Sequence, residues 1–313
     1  MLTKTINLYK NREDVTLTTY ITAEKGELNM LGKRPAVLIC PGGAYLGCSD
    51  REAEPVALKF AAMGYHAFVL RYSTYDEGKG FPDLNGLIGN MPVKEHCVHP
   101  NPVRDIGKAM LTIHENADDW FVDMNRIAVC GFSAGGHNAA MYGVYWHHQL
   151  ITDFLGTQKE NIKPAAMILC YPLIDYLSLS ENRGKADEDS FAAALGRAAS
   201  TAFFGTANPS IDMLKSASPH LHVSAETPPA FIWTTYADEL LPAHHSLQMA
   251  HAMAKNSIPF EMHIFEDGPH GLSLGTQATS VNTAQLDRDS AKWIDLAECW
   301  LGKRFAIKLP NPK

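Results

Sequence analysis

Three short stretches carry side chains whose types and order could perform nucleophilic chemistry: Gly131-Phe132-Ser133-Ala134-Gly135, Tyr236-Ala237-Asp238-Glu239 and Gly268-Pro269-His270-Gly271. The first has the Gly-x-Ser-x-Gly form of a nucleophile elbow. There a strand meets a helix so sharply that the serine is held in a strained backbone conformation, with Oγ projecting above the sheet edge. Side chains at 131 and 135 would collide in such a turn, and Gly136 lets the following helix pack close to the strand. The peptide N–H of Ala134 would then face a reacting carbonyl. A serine hydroxyl is a weak nucleophile, so a base must reach it and an acid must orient the base. His270 and Asp238 are the candidates, and the chain order Ser133, Asp238, His270 is one that recurs among such triads.

Each assignment has a plain structural alternative. Gly and Ser at about 7% each give roughly a one-in-ten accidental match to the pentapeptide in a chain of this length, so its surroundings must decide. Asp238 could instead cap a helix ahead of Pro242, and Glu239, Asp267 and Asp175 are rival acids. Asp175 is the most serious rival, because it too follows a strand-like run, Tyr171 to Ile174. His270 could be an ordinary loop histidine, although the glycines on either side would let its ring approach the elbow. His137, His66 and His263 read as structural, the first on the elbow helix and the others within strands.

The elements that must position these groups are legible from apolar periodicity. Arg126 to Cys130 reads as a buried strand and Ala134 to Tyr145 as a helix, which is the strand, elbow, helix order that the motif requires. Before them, Thr5–Leu8 and Val15–Thr22 alternate around the polar turn Asn11 to Asp14, as antiparallel edge strands do. Ala36–Cys40 and His66–Tyr72 read as buried strands, separated by a helix starting near the capping pair Ser49-Asp50 and stopped by Gly64. Tyr75 to Asn101 is a long loop, and a helix over Val103–Glu115 leads back to the elbow strand.

After the elbow, Ala165–Cys170 forms a strand, and then the rhythm fails from about Leu173 to Thr227. With helical patterns at Asp189–Phe203 and Ser210–Lys215 but no strand, residues 173–227 read as a helical lid inserted into a single domain spanning 1–313. Ala230–Thr235, a helix over Ala243–Lys255, Phe260–Phe265 and a closing helix over Asp287–Leu301 complete the alternation. The expected fold class is α/β, a mostly parallel central sheet with helices on both faces.

With 313 residues, of which 46% are hydrophobic, the chain can bury a large core. A net charge of −7 without any block of Lys and Arg offers no footprint for nucleic acid or an anionic membrane surface. No apolar run approaches the roughly 20 residues of a membrane span, and Met1 to Thr5 lacks a signal-peptide character, so a cytoplasmic location is expected. The six cysteines lack C-x-x-C spacing and read as buried hydrophobes. The histidine-rich spots carry no zinc ligand set, so no metal or other cofactor is expected. A homo-oligomer is compatible with this composition.

Five segments together resemble the acetyl-esterase and xylan-esterase-like branch of the α/β-hydrolases. They are Cys40-Pro-Gly-Gly-Ala-Tyr45, Arg51-Glu-Ala-Glu-Pro-Val-Ala57, Gly131-Phe-Ser-Ala-Gly-Gly-His137, Ala237-Asp-Glu-Leu-Leu-Pro242 and Gly268-Pro-His-Gly-Leu272. The resemblance spans roughly residues 35 to 303. It implies the α/β-hydrolase fold, Ser133, Asp238 and His270 as the triad, and a small-molecule ester as substrate. It places the oxyanion donors at the N–H groups of Gly43 and Ala134, with Ala44 as a further candidate. Lipase-type members carry His-Gly-Gly-Gly where this chain has Pro41-Gly42-Gly43-Ala44, and Glu239 stands where a second Asp is usual. Because a histidine base must be neutral to accept a proton, activity is expected to fall on acidification through roughly pH 6 to 7, and a flat rate profile down to about pH 5 would count against it.

Overall fold

The computed structural model describes residues 1–22, 32–83, 91–183 and 190–306. Its centre is a sheet of eight strands: β1 (Leu2–Tyr9), β2 (Arg12–Ile21), β3 (Arg34–Cys40), β4 (His66–Arg71), β5 (Val122–Phe132), β6 (Ala166–Cys170), β7 (Ala230–Thr235) and β8 (Phe260–Phe265). They lie in the order β1-β2-β4-β3-β5-β6-β7-β8. β1 and β2 pair antiparallel, β2 joins β4 antiparallel, and every later pairing is parallel. The chain therefore begins at one edge, moves inward and reverses direction around β3. Such a reversal opens a crevice at the carboxyl ends of the flanking strands, and the loops after β3 and β5 carry Gly43 and Ser133.

The central strands are apolar on both faces, which is why their sequences read as continuous runs rather than alternations. In β3, Ala36, Leu38 and Cys40 enter one core while Val37 and Ile39 enter the other. The first core is closed by α2 (Asn101–Glu115), α3 (Ala134–Tyr145) and α8 (His244–Lys255), through Ile106, Met141 and Met249 among others. The second is closed by α1 (Glu54–Ala62) and α9 (Trp293–Phe305), through Val56, Phe60, Trp293 and Leu301. Helices thus cover both faces, as the sequence pattern predicts. Among the described residues no helix is long and apolar enough to cross a membrane.

Between β6 and β7 lie α5 (Tyr176–Arg183), α6 (Phe191–Phe204) and α7 (Ile211–Ser216), with no strand among the described residues. Ser190 caps α6 by accepting from the Ala193 N–H at 3.2 Å, and Gly205 closes it at a φ of 73°. The sequence-predicted start at Asp189 lies outside the described residues, as does part of the long loop after Tyr75. Elsewhere the element ends differ from expectation for identifiable reasons. Ser49-Asp50 opens only a 3₁₀ turn, and α1 begins at Glu54 with Pro55 in its first turn, where a missing N–H costs nothing. The closing helix begins at Trp293, preceded by a separate 3₁₀ turn at Ser290–Lys292. The seven-residue helix α4 (Gln149–Leu155) has no counterpart in the sequence-based expectation.

Candidate active site

The elbow forms where β5 runs directly into α3. Ser133 sits at φ 52° and ψ −118°, a conformation that costs on the order of 1–3 kcal/mol for a non-glycine residue. The surroundings hold it there. Its N–H donates to Cys170 O at 3.0 Å, and its carbonyl accepts from His137 N at 2.9 Å. The glycines are obligatory by contact: a Cβ at Gly131 would lie 2.1 Å from Gly135 O, and one at Gly135 would lie 2.1 Å from Cys40 O. Any larger residue at either place pushes the helix off the strand.

His270 reaches this serine from the loop after β8. Its Nε2 is 2.8 Å from Ser133 Oγ, and its Nδ1 is 2.7 Å from Asp238 Oδ2. The Asp238 side chain is fully buried and that of His270 is 16% exposed. The other Asp238 oxygen, Oδ1, accepts from the N–H groups of Leu240 at 3.0 Å and Leu241 at 2.9 Å. Both carboxylate oxygens are therefore engaged, which pins the imidazole ring and keeps its Nδ1 protonated. Asp238 is not a helix cap: the amides it binds lie in the bend at Leu240 and Leu241, and α8 starts after Ala243 with no side-chain cap. The two loops are laced together by Tyr236 N donating to Phe265 O at 2.7 Å and by Thr235 Oγ1 donating to Gly268 O at 2.7 Å.

The rival groups do not take Asp238's place at His270 Nδ1, although Glu239 borders one cavity at Ser133. Asp175 accepts through Oδ1 from Leu177 N at 3.0 Å and Ser178 N at 3.2 Å, so it caps α5. Glu239 and Asp267 are exposed. His137 is buried between the Tyr45 hydroxyl, 2.5 Å from Nδ1, and the Ala217 carbonyl, 2.7 Å from Nε2. Burial is the first cause that drives its pKa down to about 3, so it stays neutral and structural. His66 accepts from Thr22 N at 3.2 Å, and His263 faces Glu261. Among the described residues no group of three His, Cys, Asp or Glu side chains is placed to hold a metal ion.

The loop after β3 carries Gly43 and Ala44, two of the positions expected to supply oxyanion donors. Gly43, Ala44 and Tyr45 have successive φ values of 138°, 55° and 61°, a left-handed run that curls the main chain and turns amide groups toward one side. The curl is fixed by Leu46 N donating to Gly43 O at 2.9 Å, and by Tyr75 N donating to Tyr45 O at 2.9 Å. Gly43 and Ala44 border a cavity beside Ser133, and Ala134 borders its neighbour. Ala134 is also the first residue of α3, where amides lack intrahelical acceptors and the helix dipole is positive.

Two cavities meet at Ser133. One, about 230 Å³, is walled by Leu173, Tyr176, Leu179 and the α6 residues Ala193, Leu195 and Gly196. The other, about 390 Å³, contains His270, Gly271, Ser49, Phe81 and Glu52. Glu52 has no role in the sequence reading, although it stands in one of the five segments quoted above. Its carboxylate accepts from Gly42 N at 2.7 Å and from the Tyr171 hydroxyl at 2.6 Å.

The fold and this site define an α/β-hydrolase of the esterase-like branch. The chain belongs to the BD-FAE family, whose model matches residues 90–253, just over half of its length. It is similar to the crystal structure of MGS-M1, an α/β-hydrolase enzyme from a Medee basin deep-sea metagenome library, at 32% identity and a TM-score of 0.69, covering 97% of both chains. It is also similar to the carboxylesterase Cest-2923 from Lactobacillus plantarum WCFS1, at 25% identity and a TM-score of 0.77, covering 99% of this chain and 100% of that one. A third relative is the acetyl ester-xyloside bifunctional hydrolase from Caldicellulosiruptor lactoaceticus, at 27% identity and a TM-score of 0.71, covering 96% of each chain. The chain spans 33% to 51% of the length of the curated relatives it matches.

Proposed function

We propose that the chain is a serine carboxylic-ester hydrolase acting on short, acetyl-type acyl esters, with acetylated carbohydrates as its substrate class. The observation that carries this reading is the unbroken relay Ser133–His270–Asp238, with contacts of 2.8 and 2.7 Å. In this mechanism Ser133 Oγ attacks the ester carbonyl while His270 Nε2 takes its proton. The electron pair moves onto the carbonyl oxygen, which the N–H groups of Gly43 and Ala134, with Ala44, stabilise. The imidazolium then protonates the leaving alcohol as the C–O bond breaks. Water, deprotonated by the same imidazole, repeats the sequence and releases the acid from the acyl-serine.

The direction of proton transfer assigns the two cavities. The alcohol must leave on the side where His270 can protonate it, so the cavity holding His270 takes the alcohol and the other takes the acyl group. The acyl side is bounded mainly by leucines and alanines, with Tyr45, Tyr176 and one acidic residue, Glu239, a predominantly apolar lining that suits a small acyl chain. The alcohol side shares Ser49 and Phe81 with a further cleft of about 470 Å³ bordered by Asp50, Arg71 and Asp76. Hydroxyl-rich alcohols find hydrogen-bond partners there. With α6 lining both cavities, the described part of residues 173–227 serves as the lid over the site.

A panel of p-nitrophenyl esters of increasing chain length, beside acetylated xylo-oligosaccharides and methyl ferulate, tests the assignment. Rates are expected to be highest on acetyl esters and to fall with chain length. Feruloyl and long-chain esters turned over as fast as acetyl esters would overturn the acetyl reading in favour of a feruloyl or general esterase.

A further inference from the structure

Glu52 joins parts of the site that come from different strands. The carboxyl group is almost wholly buried, the residue being 4% exposed. One oxygen, Oε2, accepts from Gly42 N at 2.7 Å, immediately before the proposed oxyanion donor Gly43. The other, Oε1, accepts from the Tyr171 hydroxyl at 2.6 Å, and that hydroxyl in turn accepts from Ser273 N at 2.9 Å, three residues beyond His270. The histidine loop is anchored again beside Glu52, because Ser273 Oγ donates to Arg51 O at 2.7 Å. The Tyr171 ring meets the His270 ring edge-on, with centroids 5.2 Å apart and planes at 73°. The packing leaves little slack: a Cβ on Gly42 would lie 2.7 Å from Glu52 Oε2 and 2.9 Å from Ser133 Cβ.

Resting on the ester-hydrolase reading, we infer that Glu52 is a positioning residue that sets the oxyanion loop and the His270 loop at a fixed separation across Ser133. A buried carboxyl is a costly brace: burial pushes its pKa up, against the opposing pull of the Tyr171 hydroxyl and the Gly42 amide. Burial first, and then the facing carboxylate, hold the Tyr171 phenol well above its ordinary pKa, so it remains a donor. An apolar residue could fill the same space, but it could accept neither hydrogen bond. The carboxyl is the one group of this size that can accept from both donors with two oxygens about 2.2 Å apart.

The test is Glu52→Gln, which keeps the shape but turns an N–H₂ toward one of the two donors. Turnover is normalised to the number of serines titrated by a fluorophosphonate, so that only competent molecules are counted. Normalised kcat is expected to fall between about tenfold and a hundredfold, with KM changed by less than about threefold. A merely structural brace would lower the thermal midpoint and leave normalised kcat within about twofold of the parent enzyme, and that result overturns the inference. Tyr171→Phe supplies a second arm if the first variant does not fold. It leaves the Gly42 contact in place and removes the link to Ser273, so a several-fold loss of normalised kcat is expected and an unchanged value overturns the inference. A parent enzyme that is not titrated by the fluorophosphonate would strike instead at the role of Ser133.

Discussion

Ser133→Ala lowers turnover of every ester substrate by about 10⁵- to 10⁶-fold, the loss seen when a triad acts as a unit. Removing the hydroxyl leaves the donors of the oxyanion loop and the base in place, but takes away the atom that forms the acyl bond. The fold should tolerate the change. The main-chain bonds that hold the elbow, from Ser133 N to Cys170 O and from His137 N to Ser133 O, do not involve Oγ. Unchanged thermal unfolding together with lost fluorophosphonate labelling is the expected pair of results. A variant that keeps more than a few per cent of parental kcat removes Ser133 from the nucleophile's role.

Asp238→Asn is expected to lower kcat by about 10⁴-fold, and the reason lies in the tautomer it imposes. An asparagine here still has an oxygen to accept from Leu240 N and Leu241 N, which fixes its orientation and points the amide N–H₂ at His270 Nδ1. A donor facing Nδ1 selects the imidazole tautomer protonated at Nε2, and that nitrogen can no longer take the serine proton. Binding should be little changed, so the loss appears in kcat and not in KM. Asp267→Asn, at an exposed position, serves as the matched control and should stay near the parental rate. Retention of a tenth or more of parental kcat by Asp238→Asn would move the orienting role to another group.

The sequence carried the order of the strands and the identities of the three relay residues because each follows a rule with a short range. A strand ends, a turn begins, and a side chain that could do chemistry stands at the junction. Ser133, Asp238 and His270 all lie at such junctions. Asp175 lies at one too, and its sequence surroundings could not separate capping from catalysis, since an acid after a strand serves either purpose. Only the three-dimensional position of Leu177 N and Ser178 N shows which.

Glu52 is the instructive omission. In a polar stretch ahead of a helix, a glutamate reads as a solvated first-turn residue. Nothing local reveals that Tyr171, 119 positions later, will meet it. The short helices α4 and α5 also go unread, although the still shorter α7 is expected at Ser210–Lys215.

The relay joins side chains 137 positions apart in the chain, and its base follows β8, the outermost strand at the far end of the sheet. Contacts of such long sequence separation are entropically expensive to close and tend to form late. A refolding chain can therefore acquire its helical content and much of its interior while still unable to turn over an ester. Recovery of catalysis should lag recovery of circular dichroism, which would make hydrolysis a selective reporter of the final docking of that strand.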